Sequence, residues 1–144
     1  MQNELEVRRW VKAKFGVRVL WIEHASGGTL GMPDCLIMAG GRMWPIELKF
    51  GCIDKGSWHG KLRATQLSMG ARMATRHIPM HILVGDQAND VVWMASFADH
   101  EAAVSAGEPT KMTPVDGRQA IVKVLRGVEH RMVTGVRWAK TQKS

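Results

Sequence analysis

The chain has 144 residues, 45% of them hydrophobic and 23% charged, an ordinary globular composition with enough length for one domain and a real core. A formal charge of +7 and a pI near 9.9 favour a polyanionic partner, nucleic acid before membrane. No apolar run approaches the ~18 residues needed to cross a bilayer, and the charged start M-Q-N-E-L-E-V-R-R lacks the apolar region of a signal peptide, so a soluble cytoplasmic protein is expected.

Residues 3–14 read as a first helix with Asn3 as N-cap, because Val7, Val11 and Phe15 recur at helical spacing and define an inner face. Glu4 lies three residues before Val7 and so near that face, whereas Glu6 points away. A carboxylate at this position also suits the positive end of the helix without any further role. Gly16 ends the helix, and Val17 to Ile22 alternates as a strand. The loop His24-Ala25-Ser26-Gly27-Gly28-Thr29 either turns the chain or brings backbone and hydroxyl donors, Ser26 among them, close to phosphates. His24 in turn is either a polar strand end or a phosphate contact.

The most informative stretch follows, G-M-P-D-C-L-I-M-A-G-G-R-M-W-P-I-E-L-K from Gly31 to Lys49. Two apolar runs, Cys35–Ala39 and Met43–Leu48, flank Gly40-Gly41 and predict a hairpin with a tight glycine turn. Glu47 and Lys49 are two residues apart and share a face, and a hairpin brings the start of its first strand to the end of its second. Asp34 is therefore expected beside Glu47 and Lys49. Two carboxylates suit a hard cation such as Mg²⁺ or Mn²⁺, and a neighbouring ammonium can orient a water or steady phosphate charge.

Pro33-Asp34 and Glu47-Leu48-Lys49, with Gly31 before them and K-L-R-A-T-Q (Lys61 to Gln66) opening the next helix, resemble the PD-(D/E)xK nuclease superfamily. The likeness is to its VRR-Nuc and Holliday junction resolvase-like branch, and it covers roughly residues 4–94. It implies an α/β fold with a restriction-endonuclease-like αβββαβ core, a mixed sheet flanked by helices. It also implies a Mg²⁺-dependent endonuclease acting on DNA, with branched DNA and a homodimer as the finer expectation. Asp34, Glu47 and the Leu48 carbonyl would hold Mg²⁺ or Mn²⁺, Lys49 would position the attacking water, and Gln66 would orient Lys49 or that water. A first-helix glutamate reaches the metal in these families, and Glu4 is the match. The alternative is a catalytically inactive DNA-binding protein with the same fold.

After Lys49, Phe50–Gly60 reads as loop; Trp58 and His59 there either cover the sheet or stack on bases. Residues 61–76 predict a second helix with Leu62, Leu67, Met69 and Met73 inside and Lys61, Arg63, Arg72 and Arg76 outside, a solvated or DNA-contacting face. Strands follow at Pro79–Val84 and Val91–Ala95, then a capping box at Ser96-Phe97-Ala98-Asp99 opens a helix ending near Gly107. A loop with Pro109 and Pro114 leads to a short helix from Asp116 through Leu125, stopped by Gly127. Residues 128–144 are basic with interleaved apolar residues and fit a strand, a helix, a DNA-binding arm or a dimer element equally; Trp93 and Trp138 suggest a self-complementary patch. The whole is expected to be one domain, with a core at 4–95 and a helical extension at 96–144. Cys35 and Cys52 match no C-x-x-C zinc spacing with His24 and His59, and no G-x-x-x-x-G-K-[ST] loop for a nucleotide is present.

Overall fold

The computed structural model describes residues 1–23 and 31–128. His24 and Ser26, and residues 129–144 with Trp138, lie outside the described residues.

Helix α1 (Glu4–Phe15) starts where Asn3 accepts the Glu6 N–H at 2.9 Å, as the cap predicts, and it buries Val7, Val11 and Phe15. A single 3₁₀ turn, Gly16–Arg18, follows and shortens the expected strand to β1 (Val19–Trp21). Strands β2 (Cys35–Ala39) and β3 (Arg42–Gly51) form the predicted hairpin. Gly40 and Gly41 take φ of 59° and 73°, the pair of positive values that a two-residue turn matching the sheet twist requires.

The segment after β3 departs from the expected loop. Its first residues continue β3 to Gly51, and then β4 (Ile53–Asp54) and β5 (Ser57–Trp58) pair around Lys55-Gly56, both at positive φ. Helix α2 (Ala64–Ala74) starts later and stops earlier than the periodicity suggests. Strand β6 (His81–Asp86) is buried along its whole length, as a central strand covered on both faces should be. Strand β7 (Val92–Ser96) leads into α3 (Phe97–Ala106), whose N-cap Ser96 accepts the Asp99 N–H at 3.1 Å.

The region of Pro109 and Pro114 is not a loop. It contains β8 (Thr110–Lys111) and β9 (Thr113–Val115), so residues 96–144 are not a purely helical extension. Pro114 is tolerated because β9 is the edge strand of its sheet. The last described helix, α4, occupies 118–128 and runs through Gly127 instead of ending there.

The molecule is α/β, with a mixed six-stranded sheet in the order β1-β2-β3-β6-β7-β9 and a three-stranded one in the order β4-β5-β8. Among the described residues only β3 and β6 run parallel; every other neighbouring pair is antiparallel. On one face of the main sheet Trp44, Ile46, Leu48 and Leu83 meet Val7 and Val11 of α1 and Ile121 and Leu125 of α4. On the other, Ile82, Val84 and Ala95 meet Leu62, Phe97 of α3 and Trp58 of the small sheet. Trp58 is therefore core, and Trp93 is half-buried against the same cluster, which removes it from any exposed patch. Truncating Leu83, fully buried between the layers, would cost about 2–5 kcal/mol. The large apolar side chains left open include Leu20, Met38 and Met43, on the sheet face that also carries Glu47. No helix among the described residues is long and apolar enough to cross a membrane.

Candidate active site

Strand β3 changes partners in mid-course, and the site lies at the change. Its first half, Arg42 to Ile46, pairs antiparallel with β2; its second half, Ile46 to Gly51, pairs parallel with β6. Among the described residues no strand continues beside β3 on the β2 side after Ile46. Asp34 fills that gap. Its backbone is held from both sides, donating to the Ile46 carbonyl at 3.1 Å and accepting from the Ile22 N–H at 2.9 Å. Its Oδ2 accepts the Leu48 N–H at 2.8 Å, standing in for the missing strand. In an extended strand the N–H and C=O of one residue point to the same side, so the Leu48 carbonyl opens onto the same gap.

Gly31 holds the approach to Asp34 against α2. It has φ of 84°, and a Cβ there would run into the Thr65 carbonyl, so any other residue would push the loop away from the helix start.

Glu47 is almost completely buried, its side chain 5% exposed. Gln66 Nε2 donates to its Oε1 at 2.8 Å, and Lys49 Nζ lies 3.6 Å from the same oxygen. Oε2 is buried and receives no hydrogen bond. The Asp34 carboxyl is within hydrogen-bonding reach, but two carboxylates are both acceptors and need a proton or a cation between them. Burial first, and then the charge of Asp34, push the Glu47 carboxyl up from 4.5 to about 8, while Lys49 pulls it down. At neutral pH Glu47 therefore keeps a proton, which a cation between the two carboxyls would displace.

The orientation of the Gln66 amide follows from its second partner. Its Oε1 accepts the Arg63 N–H at 2.9 Å, and a backbone amide can only donate, so Nε2 must face Glu47. Gln66 therefore holds the carboxylate itself, where Lys49 or a water was expected as its partner. Glu4 is exposed, and acts on Glu47 through space as the weakest of the influences raising its pKa. Lys61, Arg63 and Arg72 are exposed; the first two precede α2 instead of lying on it.

Among the described residues no group of three or more His, Cys, Asp and Glu side chains is gathered as a metal cluster. What is gathered is smaller: two carboxylates and a strand carbonyl, an all-oxygen set suited to a hard cation that keeps part of its water shell. Cys35 is no rival ligand, since burial and then Asp34 push its thiol up to about 12 and keep it protonated. Searches of protein-family profiles, curated proteins and solved structures return no match for this chain.

Sequence reasoning passed over a buried polar group that is bonded to the segment before α2. His100 on α3 is fully buried, with Nδ1 2.7 Å from Thr110 Oγ1 and Nε2 accepting the Leu62 N–H at 3.2 Å. Nothing in the local pattern marks it, because both partners come from elsewhere in the chain.

Proposed function

We propose that this chain is a metal-dependent endonuclease hydrolysing DNA phosphodiester bonds, built on a restriction-endonuclease-like αβββαβ core of the PD-(D/E)xK kind. The observation that carries the reading is the Asp34–Glu47 pair, with a buried Glu47 oxygen that has no donor and a carboxyl pushed up to about 8. Two carboxyls this close hold a proton between them when no metal is bound, and a cation would take that proton's place. With the short β4 and β5 set aside as an insertion between β3 and α2, the order α1, β1-β2-β3, α2, β6 supports this reading.

Asp34, Glu47 and the Leu48 carbonyl would hold the Mg²⁺ or Mn²⁺. When bound, such an ion acidifies a coordinated water and stabilises the charge of the phosphorane-like transition state. Gln66 keeps Glu47 in the rotamer that faces Asp34. Lys49, its side chain 15% exposed, has an ammonium at the mouth of the site and can hold the attacking water or take part in its deprotonation. Lys61 and Arg63, exposed just before α2, and Arg72, exposed in its last turn, would supply positive charge for the flanking phosphates.

A single centre cuts one strand, so a two-fold homodimer acting on branched DNA is the natural extension of this reading. The test is cleavage of linear, flapped and four-way DNAs with Mg²⁺ or Mn²⁺, paired with light scattering. Metal-dependent cutting supports the nuclease. Salt-dependent DNA binding without cutting by any metal would favour the inactive DNA-binding protein instead. A monomer that cuts linear and four-way DNA equally well would remove the dimer and the branch preference alone.

A further inference from the structure

The loop before α2 is anchored at a point far from the acid pair in sequence. Because the Leu62 N–H can only donate, His100 Nε2 is a bare acceptor, and Nδ1 carries the ring proton toward Thr110 Oγ1. The ring is wedged against Trp58 with centroids 5.3 Å apart. The residue after Leu62 is Arg63, whose N–H accounts for Gln66 Oε1 and so turns Gln66 Nε2 onto Glu47. Three hydrogen bonds in series thus connect α3 and the small sheet to the buried carboxylate: His100 to Leu62, Arg63 to Gln66, and Gln66 to Glu47.

We propose that His100 is a positioning residue for the metal-binding pair, acting through the Leu62–Arg63 backbone and Gln66 to hold Glu47 in its ligating orientation. The proposal rests on the metal-site reading above. Groups that orient a metal-binding side chain from behind commonly change metal affinity about 10–100-fold when removed. His100 stands two residues further back than such a group, so its effect belongs at the lower end.

His100→Phe keeps a ring against Trp58 but removes the acceptor, and His100→Gln restores an acceptor at about the Nε2 position. Two readouts are needed. In the metal-free protein, hydrogen exchange at the Leu62 and Arg63 amides and at the Gln66 side-chain amide should quicken in His100→Phe and return toward wild type in His100→Gln. With Mn²⁺ alone, calorimetry should show about tenfold weaker binding for His100→Phe. The same substitution in a Gln66→Leu background should then add less than about twofold, because the connection is already cut. Unchanged exchange at Arg63 and Gln66 in His100→Phe would overturn the proposal. So would an equal loss of Mn²⁺ affinity in both backgrounds, which marks general destabilisation. A wild-type chain that binds no Mn²⁺ would sink the metal-site reading instead, while the exchange measurement would still decide whether His100 sets Gln66.

Discussion

Replacing Glu47 by glutamine should make the metal-free protein more stable in alkaline solution and nearly insensitive to pH where the wild type is sensitive. Glu47 has an ordinary value of 4.5 when exposed and about 8 when folded. Its contribution is fully present below pH 4.5, where folded and unfolded chains both carry the proton, and is lost as pH rises toward 8. At roughly 1.4 kcal/mol per pH unit, the complete loss amounts to about 4–5 kcal/mol, a large part of a small domain's stability. In Glu47→Gln the amide oxygen can still accept from Gln66, and the new NH₂ can donate toward Asp34 where the acid needed a proton. Urea unfolding in chelator at pH 5, 6.5, 8 and 9 reads the effect directly. Wild type should weaken from pH 5 to pH 8 and then level off toward pH 9, and the variant should gain on it by about 1 kcal/mol for each unit up to pH 8. Parallel curves for the two proteins would refute the argument that burial and Asp34 hold this proton.

Three further outcomes follow from the same geometry. Asp34→Ala should cost about 1–3 kcal/mol in urea melts because it leaves the Leu48 N–H without its acceptor, whereas Asp34→Asn should fold near wild type; both should lose cleavage about 100-fold or more. Lys49→Arg should lose about 100-fold in turnover, since a planar guanidinium cannot place a compact ammonium beside Glu47, and near-wild-type rates would reduce Lys49 to a bystander. Gly31→Ala should destabilise by about 2 kcal/mol or more by calorimetry, and an unchanged melting temperature would show that the loop is not clamped on the Thr65 carbonyl.

The parts of the fold legible in the sequence are those whose signals are local. Asn3 and the Val7, Val11, Phe15 spacing mark α1, Gly40-Gly41 marks the hairpin turn, and Ser96 with Asp99 marks the start of α3. The hairpin alone was enough to bring Asp34 to Glu47. What stayed hidden depends on partners distant in sequence. Strands β4, β5 and β8 have two residues each and exist only by pairing with one another, so no periodicity could show them. Pro114 looked like a loop residue because its place on a sheet edge is a tertiary fact. Arg63 is an unusual N-cap, and α2 begins there because Gln66 folds back onto its N–H. That same backward bond decides which way the Gln66 amide faces, which is why Glu47, not Lys49, is its partner.

The central claim is that Asp34 and Glu47 form a cation-dependent cutting centre. Nicking of supercoiled plasmid by wild type and Glu47→Gln, each in Mg²⁺ and in chelator, tests it most directly. Wild type should nick only with Mg²⁺, and Glu47→Gln, although the more stable protein above pH 8, should not nick under either condition. Undiminished nicking by Glu47→Gln, or equal nicking by wild type in chelator, would contradict the account.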